Sequence, residues 1–227
     1  MREQNVSVRL EGVSKTYTRH GISNPVLKEI SFVASPGDII WVRGKSGVGK
    51  STLLGLAGLL ALPDSSSISI AGEETTQLSA TQLTAWRMDR IGFVFQRPLL
   101  VDRYTVLQNV LIGSSDRQAA YKELEQLGIG DLYDAVAISL SLGQQQRVAV
   151  ARAITKNPPV LLADEPIAAL DEENSTAVLQ ALACRAEKGA TVLVASHDSA
   201  LAAYATRVID LDKGNLTEQE SSPNEEA

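Results

Sequence analysis

At 227 residues, the chain is long enough to bury a sizeable core, and one domain carrying a subdomain is expected. Its hydrophobic fraction of 44% is that of a globular protein, and no apolar run approaches the ~18 residues of a membrane-spanning helix, so a soluble chain is expected. With 21 basic against 27 acidic residues the net charge is −6, and Lys and Arg form no cluster interleaved with aromatics, which argues against a nucleic-acid partner.

The first residues, MREQNVSVRL, alternate polar and apolar side chains as a strand does. They lack the apolar stretch and small-residue cleavage site of a secretory signal, so a cytoplasmic location is expected. The strands up to Ile40 follow one another without helices, which fits an antiparallel sheet at one side. From DIIWVR onward, β-rich runs (SISI, IGFVF, PVLLAD, TVLVAS, RVIDL) alternate with helical patterns such as KSTLLGLAGLL and ENSTAVLQALACRAEKG. That alternation predicts a mostly parallel sheet covered by helices, an α/β fold. The runs before Asp164 and Ser196 are apolar throughout, as central strands buried on both faces are. Residues 105–155 read as helices without strands, which predicts an inserted helical subdomain. The last segment, TEQESSPNEEA (217–227), has no periodicity and is expected to be a disordered acidic tail after a domain covering 1–216. The single cysteine, Cys184, can form no internal disulfide and belongs to no metal-ligand cluster.

The segment GKSGVGKS, from Gly44 through Lys45, Ser46, Gly47, Val48 and Gly49 to Lys50 and Ser51, lies between a predicted strand and a predicted helix. This is a P-loop: its glycines let backbone N–H groups face phosphates, Lys50 reaches the β- and γ-phosphates, and the Ser51 hydroxyl ligates magnesium. Thr52 is placed to touch the α-phosphate. PVLLADEP supplies the expected second half, with Asp164 holding magnesium through water and Glu165 polarising the attacking water. A third stretch, SLSLGQQQRVAVARAI, opens a helix with one glycine and three glutamines. First-turn N–H groups lack intrahelical partners, so this start is either an ordinary cap or a seat for an anion.

With these motifs the chain resembles the nucleotide-binding subunits of ABC transporters, over about residues 6–216. The resemblance implies a RecA-like P-loop NTPase core with an antiparallel β subdomain and an inserted helical subdomain. It also implies ATP and Mg2+ as ligands, and a homodimer of ATPase subunits meeting head to tail around two ATP molecules. In that family the signature, here LSLGQ (140–144), binds the γ-phosphate of ATP held by the second subunit, which implicates Ser141, Gly143 and Gln144. Tyr17 matches the aromatic that stacks on adenine, with an exposed strand tyrosine as its plain alternative. Gln96, in FVFQRPLL, matches the glutamine that senses magnesium and couples to the membrane partner, a reading that rests on the resemblance. Asp171 matches the aspartate of the loop crossing between subunits and also suits a helix N-cap. His197, in VLVASHD, matches the switch histidine that contacts the γ-phosphate.

The resemblance implies a transport motor, peripheral on the inner face of the membrane through permease subunits. The segment IGFVFQRPLLVDRYTVLQNVLIG is most similar to the lipoprotein-release and macrolide-export subgroup, with amino-acid importers as the alternative. Soluble ABC ATPases of repair or translation carry coiled-coil insertions or paired cassettes that this chain lacks, and P-loop kinases and GTPases lack the combination of LSLGQ, Glu165 and His197. Three residues depart from the family's pattern. Leu142 stands for the signature's usual glycine, Ile167 for a small polar residue, and Arg43 for an apolar strand residue.

Overall fold

A computed structural model describes residues 6–219. In chain order the strands and helices are β1 (Val8–Arg19), β2 (Ile22–Ala34), β3 (Ile39–Arg43), α1 (Lys50–Ala57), β4 (Ser65–Ile70), β5 (Glu73–Glu74), α2 (Ala80–Arg90) and β6 (Ile91–Val94). There follow α3 (Val106–Val110), α4 (Arg117–Gln126), α5 (Leu142–Thr155), β7 (Val160–Asp164), α6 (Glu172–Glu187), β8 (Thr191–Ala195), β9 (Arg207–Asp212) and β10 (Asn215–Gln219).

The strands form two sheets, one of four strands in the order β2-β1-β4-β5 and one of six in the order β10-β9-β3-β8-β7-β6. The first is antiparallel throughout. Pro25 lies in β2, at the outer edge, where a missing N–H breaks no internal ladder. The second is parallel from β9 across to β6, with β10 added antiparallel at its edge.

Strands β7 and β8 are buried at every position, and their alternate side chains feed two different cores. Leu161, Ala163, Val192 and Val194 join Trp41 and the apolar faces of α3, α4, α5 and α6. Val160, Leu162, Leu193 and Ala195 face the other way, onto α1 and the antiparallel sheet. A sheet buried on both faces favours apolar residues throughout, which is why these strands read as hydrophobic runs, with polar Asp164 and Thr191 only at their ends. No helix among the described residues is long and apolar enough to cross a membrane.

The segment 105–155 contains α3, α4 and α5 with two short 3-10 turns after α4, plus one isolated antiparallel bridge between Thr105 and Val136. The helical segment is tied to α6 by charge. The guanidinium of Arg185 pairs with the Glu123 carboxylate of α4, both buried, and donates a second bond to Asn157 Oδ1 at 3.1 Å.

The tail expectation needs correction at its start. Residues 217–219 belong to β10, paired with β9 from Asp210 back to Val208. Lys213 and Gly214, at φ 48° and 82°, form the tight two-residue turn that suits a hairpin's twist, and Arg207 clamps Glu218 at 2.6 Å. The remaining tail residues, 220–227, lie outside the described residues.

Two of the departures acquire reasons. Arg43 is paired two-pronged with Asp210 of the neighbouring β9, at 2.8 and 2.7 Å, and lies 5.2 Å from the Trp41 ring centroid. The hydrogen bond to the Asp210 carboxylate raises the Arg43 pKa above its ordinary value. Ile167 is buried in the helical-side core, where a polar residue would need a partner.

Removing one member of a buried ion pair strands the other. Arg185→Ala is expected to destabilise the fold by about 3–5 kcal/mol, read as a lower urea midpoint with an unchanged slope. A midpoint equal to the parent's would show that the link between α4 and α6 contributes nothing.

Candidate nucleotide site

β3 ends at Arg43 and the chain turns through residues 44–49 into α1. Gly49, the N-cap of α1, sits at φ 115°, and a Cβ there would strike Val26 Cγ1 at 2.8 Å. With no side chain capping it, the N-terminus of α1 keeps N–H groups directed at the loop's concavity, an arrangement suited to anions. Lys50, the first residue of α1, is buried, and its ammonium donates to the Gly44 carbonyl at 2.7 Å and more loosely to that of Lys45 at 3.4 Å. Gly44, Lys45 and Val48 shape the loop without lining the cleft it borders.

That cleft has a volume of about 240 Å³. Ser46, Gly47, Gly49, Lys50, Ser51 and Thr52 form one side, and Gln96, Asp164 and Glu165 another. Tyr17 and Val26, from the antiparallel sheet, form its lip. Tyr17 is 45% exposed, with the Lys15 ammonium 5.5 Å from its ring centroid, and Lys15 is itself held by Asp64 at 2.8 Å. An exposed ring beside a phosphate-binding loop can stack on a base.

Asp164 closes β7 inside the cleft. Burial pushes its carboxyl above the usual range, the Ser51 hydroxyl bond pulls it down, the Glu165 charge pushes it up, and Lys50 pulls it down. The next residue, Glu165, has φ 47°, a left-handed backbone rare for a non-glycine residue. Its N–H donates to the Ala195 carbonyl at 2.8 Å, and its carboxylate meets the end of β8. Ser196 donates to Oε2 at 2.9 Å, and His197 Nδ1 lies 3.1 Å from both oxygens. A carboxylate only accepts, so Nδ1 carries the proton in this contact. His197 is otherwise 75% exposed and free to reach outward.

The signature residues lie elsewhere. Ser141 caps α5 in a reciprocal box with Gln144: the Ser141 N–H donates to Oε1 at 2.9 Å, and the Gln144 N–H to Oγ at 3.3 Å. The cap reading therefore holds within one chain. Each of the three glutamines has its own task. Gln144 completes the box, Gln145 donates to the Leu140 carbonyl at 3.1 Å, and buried Gln146 donates to the Phe95 carbonyl at 3.2 Å. Gly143 allows close approach, since a Cβ would lie 3.2 Å from the Ala169 carbonyl. Leu142, 57% exposed, takes helical backbone in the first turn, so its position does not demand glycine. Asp171 caps α6 through the Asn174 N–H at 2.9 Å, and bonds from Asn174 hold its carboxyl below the usual range. Ser141, Gly143, Gln144 and Asp171 do not line the cleft.

Sequence reasoning missed four residues that shape this region. Ser196 binds Glu165, and Gln146 anchors α5 to the segment before Gln96. Arg152 donates to the carbonyls of Pro98 and Leu99, both at 2.9 Å, and buried Asn109 brackets Val101 through its N–H and carbonyl. A polar residue set within an apolar stretch, Arg152 in VAVARAI and Asn109 in VLQNVLI, was the available signal.

The ABC transporter family model matches residues 27–168. A lipoprotein-releasing system ATP-binding protein, LolD 2, of Caulobacter vibrioides is 39% identical over 91% of this chain and 95% of its own length. A macrolide export ATP-binding/permease protein, MacB, of Rhodopseudomonas palustris is 38% identical over 92% of this chain, which spans only 33% of that longer protein. Among solved structures, the dimeric ATP-binding cassette MJ0796 in a post-hydrolysis state with ADP and Pi superimposes with a TM-score of 0.89 at 34% identity, covering 94% of this chain and 98% of that one. A strand-end cleft built on a P-loop and the paired carboxyls of Asp164 and Glu165 thus coincides with likeness along nearly the whole chain: it belongs to the ABC transporter family, as an ATP-binding and ATP-hydrolysing subunit.

Proposed function

We propose that the chain is the motor of a transporter of the lipoprotein-releasing or macrolide-export type. Two copies close head to tail on two ATP molecules, and separate permease subunits hold the dimer peripherally on the inner face of the membrane. The observation that carries this reading is the split site: the P-loop and the carboxyls line one cleft, while Ser141, Gly143 and Gln144 sit outside it, available to a second copy. Export is favoured by the relatives' names, lipoprotein release and macrolide export, and pairing by the dimeric state of the similar cassette.

Lys50 would exchange the Gly44 carbonyl for the β- and γ-phosphates, Thr52 would touch the α-phosphate, and Tyr17 would stack on adenine. Ser51, Gln96 and Asp164 offer hard oxygen donors in one cleft, and a cation there would offset the burial that pushes Asp164 up, so the residues fit magnesium. Magnesium, when bound, would neutralise charge on the transferring phosphoryl group. Glu165 would accept the proton of the attacking water, His197 would contact the γ-phosphate, Gln96 would couple to the permease, and Asp171 would cross to the partner.

Lys50→Ala is expected to slow magnesium-dependent ATP hydrolysis by at least about a hundredfold, the scale of losing one preorganised charge. Equal phosphate release from both proteins would refute the P-loop reading.

Glu165→Gln should retain ATP binding while hydrolysis falls about 10²–10⁴-fold, the usual contribution of a general base. Size-exclusion chromatography with ATP should then show a trapped dimer. Intact binding with monomer alone would sink the two-copy site.

Ser141→Arg should leave monomer nucleotide affinity unchanged and abolish turnover, because a bulky cation blocks the seat for the partner's phosphate. Leu142→Gly costs about 0.5–1 kcal/mol locally in backbone freedom, and closer backbone approach should keep the ATPase rate level or raise it. A strong loss with an intact fold would mark the leucine as a positive adaptation.

A further inference from the structure

We infer that Ser196 is a positioning residue for Glu165: it fixes one carboxylate oxygen so that the other faces the attacking water. The inference rests on the reading of Glu165 as the general base. It starts from the contrast between the two side chains that hold this carboxylate. His197 is mostly exposed, so little packing holds its ring in place. Ser196 is completely buried.

Every other group of Ser196 is already committed. Its N–H donates to the Val42 carbonyl at 3.3 Å, and its carbonyl accepts from the buried Trp41 indole at 2.9 Å, so β3 grips the residue from both sides. The Asp198 N–H donates to Oγ at 3.1 Å, and the single hydroxyl proton is left to the Glu165 Oε2 at 2.9 Å. The donor thus has a fixed origin and one acceptor. Glu165 needs such a hold, because its left-handed backbone aims the carboxylate toward the end of β8 but leaves the outer side-chain torsions free. A hydroxyl pinned by the sheet transfers the rigidity of β3 and β8 to the carboxylate, as supporting residues do in preorganised sites.

The test compares steady-state ATP hydrolysis by Ser196→Ala, by the near-isosteric weak donor Ser196→Cys, and by Ser196→Thr, which keeps the hydroxyl. The Ala and Cys variants should lose about tenfold in kcat, the scale of one hydrogen bond to a charged group, with KM for ATP within about twofold of the parent. Ser196→Thr should restore most of the rate. In a Glu165→Gln background the residual hydrolysis should be insensitive to Ser196→Ala, because residues acting as one unit are not additive. The inference is overturned by a kcat within about twofold of the parent in Ser196→Ala or Ser196→Cys. An equal loss in the Glu165→Gln background, a matching rise in KM, or failure of Ser196→Thr to recover the rate would overturn it too, by making the role merely structural. If Glu165→Gln alone hydrolyses ATP normally, the general-base reading fails first, and that outcome is separable from the others.

Discussion

The register of the parallel strands is the constraint on which the rest of the site depends. Ile40, Leu193, Leu162 and Phe93 lie in one transverse row of β3, β8, β7 and β6, and Val42, Ala195 and Asp164 form a row two residues on. The next residues in each strand direction are Arg43, Ser196 and Glu165, where the strands end together and the loops begin. Brought to one edge in this way, the P-loop, the paired carboxyls and the Ser196–His197 step need no further device to meet. A slip of one residue in β7 would exchange its two buried faces and carry Asp164 to the wrong side, so the apolar side chains that fix register also fix the chemistry. Ligand sites beyond the carboxyl ends of parallel strands follow from the same geometry.

How much of this was legible in the sequence depends on whether a residue's job is local. The P-loop was legible because its glycines, lysine and serine are consecutive and their chemistry is set by the turn they make. β7 and β8 were legible because burial on both faces leaves an unbroken apolar run. β10 was not, since its residues 217–219 are polar and an edge strand facing water carries no apolar signal. The Lys213–Gly214 turn was the only local sign of it. Ser196 was passed over because a serine after a strand is unremarkable until β7, more than thirty residues earlier, brings Glu165 beside it. Arg43 looked anomalous for the same reason, its partner Asp210 being supplied by β9. Contacts between distant segments were opaque, while motifs closed within one turn were plain.

The glutamine-rich start of α5 joins these two kinds of information. Its capping box closes locally, and within one chain it satisfies Ser141 and the Gln144 N–H. The box leaves the N–H groups of Leu142 and Gly143 without intrahelical partners, as in any first turn, and it leaves the Ser141 hydroxyl proton bonded to nothing in the box. Capping and reception of a partner's phosphate therefore do not compete. The same helix then grips the segment around Gln96 from the other side, through Gln146 on the Phe95 carbonyl and Arg152 on those of Pro98 and Leu99. α5 has fourteen residues, roughly 21 Å at the α-helical rise, and a packed helix of that length moves as a unit. Under the proposed function, a shift imposed on its N-terminus by a closing partner would reach the backbone beside Gln96 through Gln146, little more than one turn into the helix. Under the proposed function, that is where the permease listens. The coupling then needs no chain of side-chain switches. It needs one packed helix, whose first turn would meet the nucleotide of another subunit under the proposed function and whose Gln146 and Arg152, further along, hold the segment 95–99.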